Sequence, residues 1–390
     1  MSLYKDLINK FTGFKFSTSY IMGHKEAVWV STKEPEVLLN SIPELNVVLT
    51  KRVELFNNGV LKFKKNDGEI ITDHPAIELL NNPNALQNRN DFFAMYLLNL
   101  DLHGNTFVYQ NKPSLGKLPA SLWVLNSSDI QINITGKLYH QTELDGIIEN
   151  YSFKDNTNKF ETKDILHKTN GVATNYIKGV SHLEALKMPL SNIQASYKED
   201  NIIRHNLGAL GILSSDNKDA SGGIPLNQKE KEKIQDQYKE NFVGGVDGSK
   251  KSKVIITNSN LKWQSMSYPI KDLMISENIN QHFNRIIDAY GLHVNLFSKD
   301  KGDTFENHKQ TVIGTYQNTI QPLADDFTTS MSEFLGLDDG VLFMDYSELP
   351  VMQTNKAEEA TTNQTNTNTV ISLLDKGLID EKDAKSLLNL

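Results

Sequence analysis

Apolar residues change their spacing several times along this chain, and each change marks a different kind of element. Leu3, Leu7, Ile8 and Phe11 fall at helical spacing and predict a short amphipathic helix within residues 1–16. From Ala27 to Lys64 the pattern is mixed, with strand-like runs at Asn46–Leu49 and Gly59–Phe63. His74–Leu80 reads as a short helix stopped by the turn signal Asn82-Pro83-Asn84. Asp91–His103 places Phe92, Tyr96 and Asn99 on one flank of a helix and Phe93, Leu97 and Leu100 on the other, and Gly104-Asn105 ends it. The period then falls to two. Thr106–Gln110, Ser121–Leu125, Ile130–Ile134, Ile148–Phe153 and Ile165–Lys168 predict short strands separated by turn residues.

The second half is more helical. Leu183, Leu186, Leu190, Ile193 and Tyr197 recur at spacings of three and four, the seam of a packed helix that runs to about Asn206, with Pro189 expected to kink it. Gly211–Ser265 reads as a compact β-α-β unit: strands at Ile212-Leu213, Lys253–Thr257 and Lys262–Ser265, a polar helix at Asn227–Asn241, and two glycine-rich loops. Asp272–Tyr290 is a helix with Ile275, Ile279, Phe283, Ile286 and Tyr290 on one face. A loop follows, then a long helix over Phe305–Leu335 kinked at Pro322, and a strand at Val341–Asp345. Thr354–Thr369 is rich in Thr, Asn and Gln and reads as a linker ahead of a small terminal helix pair.

At 390 residues the chain is long enough for two or three domains of ~150 residues. It has no cysteine, which excludes disulfides, Cys-ligated zinc, iron–sulfur clusters and thiol catalysis. Forty-eight acidic against 40 basic residues leave a net charge of −8, the opposite of the basic excess expected of a surface that grips nucleic acid. No run of 18 apolar residues occurs, so no membrane span is expected, and the charged N-terminal stretch does not resemble a targeting segment.

The machinery of an enzyme is hard to find. The ten histidines are scattered without a metal-ligand spacing. Gly244–Ser252 resembles a phosphate-binding loop, but Ser249 stands where the glycine before the lysine is required. Ser215–Lys218 and Ser298–Lys301 match S-x-x-K in polar loops without companion motifs. No catalytic residue, cofactor or metal is expected.

The words at the joints of these elements resemble the phage portal proteins of the HK97-like family. They are HPAIELLNNPN at residues 74–84, GNTFV at 104–108, LWVLNSSDI at 122–130, DILH at 164–167 and GVSHL at 179–183. NLGALGIL at 206–213, IIDAYGL at 286–292, Thr304-Phe305-Glu306-Asn307 and TIQPL at 319–323 continue the series over residues 70–350. The chain departs from the family at His293-Val294-Asn295, where a proline usually follows the aromatic-Gly joint.

The resemblance implies an α+β, multidomain ring subunit without catalysis of its own. Residues 1–180 would form the wing, 181–206 and 267–290 the two stem helices, and 207–266 a small α/β clip. Residues 291–354 would hold a tunnel loop, a kinked wing helix and a strand, and 355–390 a short helical crown. The ring, typically of twelve copies, would sit at one capsid vertex of a virion after assembly in the host cytoplasm. Implied partners are further copies of the chain, the terminase large subunit, the major capsid or scaffold protein, a head–tail adaptor, and double-stranded DNA passing through without sequence preference. Lys299 and Lys301 would face DNA from the tunnel loop, their charge nearly cancelled by Asp300 and Asp303. Leu183, Leu190, Ile193, Ile279, Phe283 and Ile286 are the stem residues that a ring interface would use, with packing inside the chain as the other possibility. A soluble monomeric or dimeric α/β hydrolase with an unrecognised site is the alternative from a different class.

Overall fold

The computed structural model describes residues 30–32, 34–112, 118–136, 144–155, 158–171, 176–205, 211–215, 218–219, 222–223, 227–229, 231–233, 236, 261–265, 274–297, 305–353, 364 and 367–373. Two helices open it, α1 at Pro35–Ser41 and α2 at Pro43–Asn57, each with proline in its first turn, where the missing N–H costs nothing. The strand-like run at Asn46–Leu49 lies inside α2. Leu45, Val48, Leu49 and Phe56 share its buried face, and this 3.6-residue period outweighs the local β-branched pair Val47-Val48.

Strand β1 (Val60–Lys65) and the short β2 (Ile70–Ile71) lead to helix α3 (Pro75–Asn81) and then α4 (Arg89–His103). Asn88 and Asp91 form a reciprocal capping box at the start of α4, and Gly104 ends it at φ +70°. Two small antiparallel sheets follow. In one, β3 (Asn105–Asn111) lies between β4 (Ser121–Leu125) and β8 (Ile165–Thr169). In the other, β6 (Ile148–Phe153) lies between β5 (Ile130–Ile134) and β7 (Lys159–Phe160). Phe107, Ile130, Ile148, Tyr151 and Ile165 form a separate apolar core for this half.

The predicted seam helix is split in two. A single turn, α5 (His182–Ala185), breaks at Leu186 before α6 (Lys187–His205), so Pro189 sits in the first turn of a fresh helix rather than kinking a long one. In the next segment β9 (Gly211–Ser215) pairs antiparallel with β12 (Leu261–Ser265), opposing Leu213 to Trp263, and β10 (Lys218–Asp219) pairs with β11 (Gly222–Gly223). The expected strand at Lys253–Thr257 lies outside the described residues, as do the N-terminal amphipathic helix and the last of the terminal pair.

Helix α7 (Ile275–Ala289) then runs beside α6, with Asn192 and His282 3.2 Å apart across the seam. Helix α8 (Phe305–Thr315) passes through a π-helical turn at Tyr316–Ile320 into α9 (Gln321–Leu335). Pro322 has no N–H for the carbonyl four residues back, and the wider turn before it absorbs the mismatch. Strand β13 (Gly340–Asp345) closes the fold by pairing antiparallel with β1 along its whole length, Val60 opposite Asp345. The main core lies between these early and late elements. Phe327 of α9 packs edge-on against Phe93 at 5.0 Å, Tyr96 at 4.9 Å and Phe56 at 5.8 Å between ring centroids.

Candidate functional site

The C-terminal end of α7 meets α2 and α4 at one polar joint. Arg52, on α2, donates from Nη1 to the Tyr290 carbonyl at 2.6 Å, and its Nε lies 3.1 Å from Asp101 Oδ2 on α4. A cation there satisfies a carbonyl at the C-terminus of α7, where the helix dipole favours positive charge. Asp101 is 2% exposed. Burial pushes its carboxyl above the usual range, against the opposite pull of Arg52 and His182. Burial also pushes the His182 imidazole down, opposed by Asp101, and that ring lies 5.3 Å from Tyr290. One guanidinium thus ties α4 to the end of α7, beside the start of α5.

A second donor completes the joint. Thr319 Oγ1, in the π-helical turn, donates to the Gly291 carbonyl at 2.6 Å, and Tyr316 in the same turn accepts from Asn58 Nδ2 at 3.1 Å. Gly291 ends α7 at φ +67°, and Leu292 N–H bonds back to the Ile287 carbonyl in a Schellman arrangement. A Cβ at Gly291 would also press on Thr319 at 3.2 Å.

The other joint is backbone on backbone. A Cβ on Gly179 would fall 2.1 Å from the Gly104 carbonyl oxygen, and one on Gly104 would fall 2.5 Å from the Val180 carbonyl carbon. Asn105 fixes the contact by accepting from Gly179 N–H at 3.0 Å and donating to its carbonyl at 3.1 Å. His167 Nε2 lies 3.1 Å from the same Asn105 Oδ1, an acceptor, so that nitrogen carries the proton. Burial, with Lys178 nearby, pushes His167 down to about 4.

Two grooves flank the pair where α2 crosses it. The first, ≈ 620 Å³, lies between α2 and α7 over Val47, Ile279, Phe283 and Phe297, with Lys51 and Glu54 among its lining. The second, ≈ 510 Å³, lies between the α1–α2 corner and α6, lined by Ile42, Gln194, Tyr197 and Lys198. Pro43 contributes to both.

The six stem residues singled out from the sequence divide here. Leu183, Leu190, Ile193 and Ile286 have no exposed surface because the chain's own core fills the space around them. Ile279 and Phe283 are half-buried and open into the first groove, with the Phe283 and Phe297 rings 5.6 Å apart. Lys299 and Lys301 lie outside the described residues. Arg52, Asp101 and Thr319 were not singled out at all. A usable signal existed for Arg52, since only four of the 40 basic residues are arginine. Arg89, another of the four, also reaches backbone carbonyls, those of Gly59 and Asn57 at 3.3 and 3.2 Å.

The site is thus a helix pair set on an α+β body and joined to it by polar and glycine contacts. A family profile described as phage portal protein matches residues 57–388. The chain belongs to the phage portal protein family. A protein of unassigned function from Rickettsia bellii is 26% identical over 283 residues, 70% of this chain and 68% of that one. The fold is similar to that of a chain in the neck of a native GTA particle computed with C12 symmetry, at 17% identity and TM-score 0.59 over 96% of this chain and 98% of the other. It is also similar to an HK97 family phage portal protein from Corynebacterium diphtheriae, at 12% identity and TM-score 0.53 over 79% and 93%. The α+β architecture of long helices and small antiparallel sheets is therefore that of portal subunits.

Proposed function

We propose that this chain is the subunit of a portal ring, a dodecamer at one vertex of a capsid, that conducts double-stranded DNA during packaging and ejection and has no catalysis of its own. The observation that carries this reading is the portal-family match over residues 57–388, together with a fold shared with a neck component of twelvefold symmetry. In this reading residues 1–180 and the segment after the tunnel loop build the wing. Helices α6 and α7 build the stem, 207–266 the clip, and 355–390 the crown. The terminase large subunit and later a head–tail adaptor dock on the ring, and the major capsid or scaffold protein holds it in the shell.

The outward face of α7 suits a conduit. Glu277, Gln281, Asn284 and Asp288 recur along it, all exposed, with the exposed Arg285 as the cation beside them. Phosphate contacts gain affinity through counterion release, so a wall with more acids than cations leaves DNA free to slide. Lys299 and Lys301 supply the few positive charges on the loop that follows. Light scattering with negative-stain imaging tests the reading. Rings near twelve times 44.0 kDa with a central hole are expected. A compact monomer at every concentration, with and without scaffold protein, overturns it.

A further inference from the structure

We propose that the two grooves are the two halves of one head-to-tail contact between copies, the α6 flank of one copy seating on the α7 flank of the next. The inference rests on the ring reading and names the surfaces that close it. A cyclic ring joins two different surfaces of the same chain. Helices α6 and α7 lie side by side, bonded across their seam by Asn192 and His282. Repeating such a pair about an axis that runs along it brings the free flank of α6 against the free flank of the next copy's α7.

Each of those flanks carries a groove. Among the described residues of the two helices, only those of α7 line the first groove and only those of α6 the second, and Pro43 lines both. The first has an apolar floor, with Val47 48% exposed beside the half-buried Ile279 and Phe283, and its lining carries two carboxylates, Glu44 and Glu54, against one ammonium, Lys51, which pairs with Glu54 at 3.3 Å. The second presents an aromatic ring, Tyr197 at 41% exposed, and the ammonium of Lys198. Tyr197 is held in place by the hydrogen bond its hydroxyl donates to Glu44. An anchored aromatic side chain with a cation beside it therefore complements an apolar floor whose lining has one acid in excess, the pattern of an interface anchor and its pocket. The remaining outward face of α7, with Glu277, Gln281, Asn284 and Asp288, is polar throughout and offers no such anchor site.

The chain has no native cysteine, so introduced thiols report without background. Lys198→Cys, Glu54→Cys and the double variant are assembled as full-length protein and treated with a short flexible bis-maleimide. Light scattering is run on the same samples. The double variant is expected to give a ladder of covalent oligomers. The two single variants assembled together should stop at dimers, and each alone should give none. Rings that form without the ladder overturn the contact while leaving the ring reading intact. Dimers from one single variant alone overturn it as well, because they report a symmetric contact. Monomers by light scattering overturn the ring reading and this contact with it. As a separate arm, Lys198→Glu should lower the ring fraction and added Glu54→Lys should restore it; no restoration counts against the pairing.

Discussion

Arg52 and Tyr290 lie 238 residues apart in sequence and are joined by one hydrogen bond of 2.6 Å from the guanidinium to the carbonyl. That bond caps the last turn of α7, while the same side chain neutralises the buried Asp101 on α4. Truncating Arg52 leaves a carboxylate in the core without its partner, which costs about 3–5 kcal/mol in comparable buried pairs. Arg52→Ala is expected to lose stability in that range by urea unfolding. Asp101→Asn, which keeps the shape and removes the charge, should lose clearly less. Equal losses would mean that packing, not the ion pair, holds the joint.

His167 makes the fold sensitive to acid. Its ring is neutral in the folded chain down to about 4, whereas in the unfolded chain it takes up a proton near the ordinary value of 6.5. The unfolded state therefore binds more protons between these values, and stability falls as pH drops from about 6.5 to about 4. The loss from this group approaches about 3 kcal/mol at the low end. Burial lowers His103, His182 and His282 in the same direction, so the wild-type slope contains all four. Urea midpoints measured from pH 7 to pH 4 in wild type and His167→Gln isolate its share. Parallel curves for the two proteins would remove it.

The π-helical turn is tested one atom at a time. Thr319→Val keeps the shape and removes the donor to Gly291, with an expected loss of about 1 kcal/mol. Gly291→Ala should cost more, since it adds backbone strain at φ +67° to a tight contact with Thr319. A reversed order in thermal unfolding would show that the turn does not hold the end of α7.

Phe327 is the shared neighbour of Phe56, Phe93 and Tyr96 and is 1% exposed. Phe327→Ala should destabilise by about 3–5 kcal/mol through the cavity it leaves. Phe327→Leu should recover much of that. Chemical denaturation with an unchanged slope is the check.

For the proposed tunnel loop, Lys299→Ala combined with Lys301→Ala is expected to leave ring mass unchanged and to lower the amount of DNA packaged per particle. Normal genome filling of such particles would remove both lysines from the path of DNA.

The helices and strands with a clear apolar period were legible in the sequence. Asp91–His103, the five short strands and Asp272–Tyr290 appear within a few residues of their observed bounds. Asn46–Leu49 misled because a four-residue window of valines and leucine carries no period, and only Pro43 and the spacing to Phe56 reveal the helix. The proline at 322 announced an irregularity, but not that it takes the form of a wider turn aimed at Gly291. The joint itself was hidden. Arg52, Asp101 and Tyr290 belong to three distant helices, and no local pattern relates them. The seam residues were recognised as packed positions, yet spacing alone does not tell a core from a subunit contact. Only the half-burial of Ile279 and Phe283 separates them from Leu190 and Ile193.

The pairing of β1 with β13 has a consequence for biosynthesis. A ribosome releases Val60–Lys65 early, but its partner strand exists only after synthesis reaches Asp345. At ~5–20 residues per second the nascent chain waits on the order of tens of seconds with that edge open. The aromatic core waits equally, because Phe327 arrives late. A prematurely terminated chain therefore lacks both the strand that pairs with Val60–Lys65 and the aromatic ring that packs on Phe56, Phe93 and Tyr96.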